Sequence, residues 1–236
     1  TGAHIFTDGK HQIDPVRCNH CCACVDVCYS GALQRVGNWM DVEAVYAEIV
    51  ADRPFYKRSG GGVTLSGGEA LLQGNFVKRL LQLCQQEGIH TAVETNLYLT
   101  WGKVEKLLPY IDLVMTDIKH MDEASHRRGT GASNRRILNN LKRLADSGKP
   151  VIVRTPIIPG YNDSNENITL TARFLKSISN LQYYELLSFN PLGSAKGYIV
   201  GGQIPREING YSRARIYDLA ALAYDEGIRV VVDGRN

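Results

Sequence analysis

The chain of 236 residues is 44% hydrophobic and carries a formal net charge of +3, which suits one large α/β domain with a small insert. Lysine and arginine are scattered among acidic residues, so no polyanion-binding face declares itself and nucleic acid is not an expected partner. No run reaches the roughly 18 apolar residues of a membrane span, and Thr1 to Lys10 lacks a signal-peptide pattern; the expectation is a cytoplasmic protein with no membrane partner.

Five of the six cysteines fall between Cys18 and Cys28, a grouping that suits ligands rather than disulfide staples. Cys18, Cys21, Cys24 and Cys28 give the spacing C-x2-C-x2-C-x3-C, whose thiolates converge on one small volume, as an iron-sulfur cube requires. A structural zinc site is one alternative, although it usually uses two more widely separated ligand pairs; another is that Cys28, followed by Tyr29 rather than the usual proline, serves a different cluster completed by upstream residues, as the fourth cysteine does in two-cluster ferredoxins. His20 and Cys22 are spare donors nearby. Cys22 stands where ferredoxin loops often carry glycine, and its plainer reading is a small buried filler. Residues 1–36 lack apolar periodicity and read as a ferredoxin-like insert held by metal, leaving 37–236 as the body. Asp41–Ala51 reads as a helix entering that body.

From Gly62 onward, β-branched runs alternate with amphipathic stretches. Strands are predicted at Val63–Leu65, Thr91–Thr95, Leu113–Thr116, Val151–Ile157, Tyr183–Phe189 and Arg229–Val232. Helices are predicted near Asn75–Glu87, Trp101–Pro109, Asn134–Ser147, Ile168–Ile178 and Ser212–Glu226. Thr100 and Ser133 read as N-caps, and Gly88, Gly148 and Gly227 as C-terminal stops. Cys84, among Leu80, Leu81 and Leu83, reads as core. Strand alternating with helix implies a parallel sheet, closed as a barrel or open and doubly wound, with chemistry carried by the loops after the strands.

The run Ser59-Gly-Gly-Gly-Val-Thr-Leu-Ser-Gly-Gly-Glu69 leads a strand into a glycine turn where backbone can approach a ligand; a plain tight turn is the alternative. Asp117 and Lys119, two apart on a strand, face one way as a binding pair or as an ordinary ion pair.

The stretch from Asp52 to Gln73, containing Arg53-Pro-Phe-Tyr56 and Ser66-Gly-Gly-Glu69, resembles glycyl radical enzyme activating enzymes of the radical S-adenosylmethionine superfamily. The likeness continues through His90–Thr95, Asp112–His120, Gly131–Asn134 with Ile137-Leu138, and Arg154–Asp163. The resemblance implies a partial, TIM-like (β/α) barrel lacking its N-terminal part and carrying the ferredoxin-like insert. It implies reductive cleavage of S-adenosylmethionine to a 5'-deoxyadenosyl radical that abstracts hydrogen from a glycine of a partner enzyme. The cofactors implied are 4Fe-4S clusters and S-adenosylmethionine, with a flavodoxin or ferredoxin as reductant.

Matched position by position, the resemblance implies that Gly67, Gly68 and Glu69 hold the methionyl amino group. Asp117, Ile118 and Lys119 line the cofactor, with Lys119 on its carboxylate, and Arg154 faces the same cavity. Glu94, Thr95, Met115 and Asp117 match positions of a monovalent cation, with Glu94 where aspartate is also met.

Two departures stand out. The family's C-x3-C-x2-C motif is not among these residues, since Val25 occupies the place after Cys18 and Cys22; catalysis is not expected of the chain as given, and the motif is expected before Thr1. The stretch Glu185–Gly193 carries Asn190 where the family often has a cofactor-contacting histidine, and Lys196-Gly-Tyr198 departs from a Gly-x-x-Lys-Tyr pattern. Another radical S-adenosylmethionine enzyme on a small molecule, or a non-catalytic iron-sulfur carrier, remains the alternative.

Overall fold

The computed structural model describes residues 2–190 and 210–235. Two compact units meet in sequence at Asp41/Val42.

The first unit opens with a hairpin, β1 (His4–Thr7) and β2 (Lys10–Ile13), in which Thr7 faces Lys10 and Phe6 faces His11. Asp8 and Gly9 make the turn at φ 51° and 72°, the doubly positive geometry that an Asp-Gly pair supplies. This hairpin was not expected, because its side chains are all exposed and show no apolar alternation. The Asp-Gly dipeptide was the available signal. A single turn, α1 (Ala23–Asp26), follows within the cysteine loop.

The second unit begins with α2 (Val42–Ala51) and α3 (Arg53–Ser59). Six parallel strands then lie side by side in chain order: β3 (Gly62–Leu65), β4 (His90–Thr95), β5 (Leu113–Asp117), β6 (Val151–Pro156), β7 (Leu181–Leu187) and β8 (Val230–Val232). Between them run α4 (Gly74–Gln86), α5 (Trp101–Glu105), α6 (Glu123–Thr130), α7 (Arg135–Ser147), α8 (Asn165–Leu175) and α9 (Arg213–Asp225). Sequential order with crossovers of one hand sends every helix to the same side of the sheet. The main core shows this: Val93, Val114, Val153 and Tyr184 pack with Leu81 of α4, Leu141 of α7, Ile168 of α8 and Leu219 of α9. The alternate strand residues Ala92, Met115 and Ile152, with Leu113 and Tyr183, form a separate small cluster without helix partners. The sheet is thus a partial barrel with helices on one side, and among the described residues of this unit no helix packs on its second, free face.

Gly88, Gly148 and Gly227 end their helices at φ between 66° and 87°, as expected. Other boundaries move for identifiable reasons. Trp101–Pro109 is a short helix to Glu105 followed by a 3-10 turn at Leu108–Tyr110, because Pro109 cannot continue an α-helix. Helix α8 starts at Asn165 rather than Ile168 because the Ser164 hydroxyl caps the amide of Asn167. Strand β7 ends at Leu187, two residues before the expected Phe189. Thr100 makes no side-chain cap, whereas Ser133 accepts from the Arg135 amide at 3.2 Å.

Helix α6 was missed because His126 is its only buried residue, which leaves no apolar stripe. Its ends were visible: Asp122 caps the Ser125 amide, and Gly131 closes the helix at φ 79°.

Gly62 is set by β4: a Cβ there would lie 1.9 Å from the His90 carbonyl oxygen. Gly62→Ala is expected to lower unfolding free energy by about 1–3 kcal/mol. Gly74→Ala, in a helix with no atom near its Cβ, should raise it by about 0.5–1 kcal/mol. Denaturant titration of both variants checks the contrast.

Candidate active site

Strand alternation puts a second layer on the free face, toward the carboxyl ends of the strands: Glu94 on β4, Met115 and Asp117 on β5, Arg154 on β6 and Glu185 on β7. Arg154 ties this layer together. Its Nε donates to Glu185 Oε2 at 2.9 Å, and a terminal nitrogen lies 3.2 Å from Glu94 Oε1. Glu185 is 5% exposed, and its other oxygen accepts the Gly234 amide at 2.8 Å, so this carboxylate is fully partnered away from water. Glu94 is more open and also accepts from the Ser66 hydroxyl at 2.7 Å. Glu185 was not anticipated, since one carboxylate in an apolar strand reads as an edge residue; its offset of two from Tyr183 on the free face was the signal.

The glycine turn after β3 is braced by Glu69. Its carboxylate accepts the Leu71 amide at 3.2 Å, the Thr95 hydroxyl at 2.9 and 3.0 Å, and the Asn96 amide at 2.8 Å. Glu69 therefore locks the β3 loop to the β4 loop. Thr95 sits on the helix side by alternation, so among the four expected cation positions the side chains of Glu94, Met115 and Asp117 share the free face. Gly67, at φ 132°, has a backbone closed to other residues. A Cβ at Gly67 or Gly68 would meet nothing within 4 Å, so glycine here leaves a turn open to a ligand rather than relieving an internal clash.

Asp117 is the last residue of β5 and Lys119 lies just beyond it, with Nζ 2.8 Å from Asp117 Oδ2. Ile118 between them is buried, its amide bonded to the Arg154 carbonyl at 3.0 Å. Gly67, Gly68, Glu69, Glu94, Met115, Asp117, Lys119 and Arg154 thus all belong to β3–β6 or the loops after them. Asn190 is exposed, three residues past the end of β7. The Lys196-Gly-Tyr198 stretch lies outside the described residues.

In the first unit, Cys18, Cys21, Cys24 and Cys28 are free thiols. Hydrogen bonding to Ser30 and the Leu33 amide holds the Cys28 thiol below its ordinary pKa, and the His20 amide points at Cys18 Sγ from 3.4 Å. Donors aimed at sulfur suit thiolates that bind iron. Among the described residues no group of three or more Cys, His, Asp or Glu is gathered into a metal-holding arrangement, so the donor set fits a cluster by chemistry and spacing rather than by assembled geometry. Cys22 is half-buried at φ 60°, the left-handed conformation for which glycine is the usual choice. Cys84, by contrast, is fully buried in the main core, where burial pushes its thiol pKa up.

A family model described as the radical SAM superfamily matches residues 15–172. The chain belongs to that superfamily. Within the radical SAM proteins it is 45% identical over 199 residues to the (2S)-3-sulfopropanediol dehydratase activating enzyme of Klebsiella oxytoca, covering 83% of this chain and 63% of that one. It is 35% identical to the pyruvate formate-lyase 2-activating enzyme of Escherichia coli K12, covering 92% of this chain and 76% of that one. The crystal structure of a domain of pyruvate-formate lyase-activating enzyme from Bacteroides vulgatus superposes with a TM-score of 0.63 at 30% identity, over 74% of this chain and 99% of that chain. These relatives place the chain among the radical SAM activating enzymes. It spans less than two thirds of the Klebsiella enzyme's length. Among the described residues no helix is long and apolar enough to cross a membrane.

Two variants test this geometry. Glu185→Gln, which strips charge from a buried partner of Arg154, should cost about 2–3 kcal/mol in thermal or denaturant unfolding. Glu94→Gln, at the open end of the same guanidinium, should cost under about 1 kcal/mol. Cys22→Gly should retain wild-type iron content on anaerobic reconstitution, because it removes a strained residue and not a ligand; iron analysis checks it.

Proposed function

We propose that this chain is the body of a glycyl radical enzyme activase that binds S-adenosylmethionine on the free face of its sheet. The observation that carries the reading is that an open glycine turn braced by Glu69, the Asp117–Lys119 pair and Arg154 all lie at the carboxyl ends of neighbouring strands, with Ser66 of the turn bonded to Glu94 of the charged layer, in a chain related to activating enzymes. Such a face suits a zwitterion. Gly67 and Gly68 would take the amino group against open backbone, with the Glu69 charge beside them. Lys119 would exchange Asp117 for the carboxylate, an ammonium–carboxylate pairing of ordinary strength. Asp117 and Ile118 would line the ligand, Arg154 would face it, and Asn190 would supply the contact beyond β7.

Cys18, Cys21, Cys24 and Cys28 would hold a 4Fe-4S cluster in the insert, residues 1–36, that relays electrons from a flavodoxin or ferredoxin. The cluster that binds the cofactor directly uses a C-x3-C-x2-C motif, which these residues do not contain, so the reading concerns the full-length protein. When bound, a reduced cluster and S-adenosylmethionine supply a 5'-deoxyadenosyl radical, and the proposed substrate is a backbone glycine of a partner enzyme. The chain's own residues bind, orient and shield. A monovalent cation at Glu94, Thr95, Met115 and Asp117 would compete with Arg154 and Lys119, which already neutralise both carboxylates. The named targets of the relatives include a dehydratase and a formate-lyase, so the partner is assigned by class only.

The test is anaerobic reconstitution of the full-length protein, followed by low-temperature paramagnetic resonance with added S-adenosylmethionine. The cluster signal should shift with the cofactor in wild type. Lys119→Ala should require about 10–100-fold more cofactor for the same shift. An unshifted wild-type signal would favour a non-catalytic iron-sulfur carrier.

A further inference from the structure

The strap that leaves β5, Ile118 to Met121, has no sheet or helix partner to satisfy its carbonyls, yet all four are bonded by buried side chains from elsewhere. The Thr155 hydroxyl donates to the Ile118 carbonyl at 2.7 Å. Asn162 Nδ2 donates to the Lys119 carbonyl at 2.9 Å and also to Pro156. Asn134 Nδ2 donates to the carbonyls of His120 at 3.0 Å and Met121 at 2.7 Å. Asn167 Oδ1 accepts the Met121 amide at 2.9 Å, while its Nδ2 holds the Asn162 carbonyl.

The four side chains, three donating to the strap and Asn167 accepting from it, are at most 3% exposed. They come from β6, the loop after it, the start of α7 and α8, so the strap is clamped from several elements at once. The clamp is itself backed: the fully buried Tyr184 phenol, held neutral by burial, donates to Thr155 Oγ1 at 2.8 Å. A buried amide or hydroxyl is retained at such cost only where its bonds are made, and here each of the four residues makes at least one of its bonds to the segment that carries Lys119.

We propose that Thr155, Asn162, Asn134 and Asn167 are positioning residues that fix the Ile118–Met121 strap and thereby present Lys119 to the cofactor's carboxylate. This rests on the cofactor assignment made above and adds to it what sets the binding geometry. Asn162→Asp replaces a donor facing two carbonyls with an acceptor. Thr155→Val keeps the shape and removes the hydroxyl, whereas Thr155→Ser keeps the hydroxyl. Asn180→Asp serves as a control: Asn180 Nδ2 bonds the Leu144 and Lys149 carbonyls before β6, at the opposite end of the sheet.

The experiment measures equilibrium binding of S-adenosylmethionine to the reconstituted full-length enzyme, together with amide hydrogen exchange across 118–122. Asn162→Asp and Thr155→Val should bind about tenfold more weakly, with faster exchange in the strap. Thr155→Ser should restore both, and Asn180→Asp should lose thermal stability yet bind as wild type does. Wild-type affinity in Asn162→Asp and Thr155→Val, or equal weakening in Asn180→Asp, would overturn the inference. Absence of binding by the wild-type enzyme would instead overturn the cofactor assignment, and this inference with it.

Discussion

Six parallel strands laid in chain order, joined by crossovers of the same hand, leave one face of the sheet without helices among the described residues of this unit. That topological constraint produces the site. The helix-covered face consumes the valines and leucines at one strand parity, and the other parity is free to carry Glu94, Asp117, Arg154 and Glu185 above a thin apolar floor of Ala92, Met115 and Ile152. Charged residues at these positions in a sheet covered on both faces would be stranded in hydrocarbon. Here they neutralise one another at the carboxyl ends of the strands, where loops can add a ligand's remaining contacts.

Within that layer the charges are not equivalent. Glu185 is buried and fixed by Arg154 and the Gly234 amide, so it orients the guanidinium. Glu94 and Asp117 are more open and exchange partners at lower cost, which is the behaviour expected of groups that must yield to an incoming ligand. Glu69 works differently again. Its carboxylate is spent on the β3 and β4 loops, so under the proposed function it would offer an ammonium group only field and shape, with the open backbone of Gly67 and Gly68 beside it.

The body of the fold was legible because its signals are local and redundant: β-branched runs, amphipathic helices, and glycines that adopt the left-handed stop at Gly88, Gly148 and Gly227. Two of the elements that escaped have no apolar face to read; α3, whose Tyr56 packs on the main core, is too short to show a periodicity. The β1–β2 hairpin is exposed throughout, and α6 buries only His126. In the candidate site, residues carried by a dense motif, such as Gly67 to Glu69 and Asp117 to Lys119, are legible as candidates. Glu185 and the buried asparagines Asn134, Asn162 and Asn167 had no role assigned, because their partners are backbone groups distant in sequence, and a single chain records no such pairing. Cys22 shows the reverse case. Its position in a loop that favours glycine was readable, and its φ of 60° is the physical reason.

The proposed function holds that this face binds S-adenosylmethionine for its conversion to a hydrogen-abstracting radical aimed at a protein glycine. The most direct measurement is to reduce the reconstituted full-length protein anaerobically with S-adenosylmethionine and a panel of glycyl radical enzymes of the classes that the relatives' names give, then to quantify 5'-deoxyadenosine and record paramagnetic resonance of each partner. The account predicts a persistent glycyl radical signal, with 5'-deoxyadenosine formed in proportion to it. Cofactor cleavage without a radical on any partner, or no cleavage by a protein that holds its clusters, would contradict it.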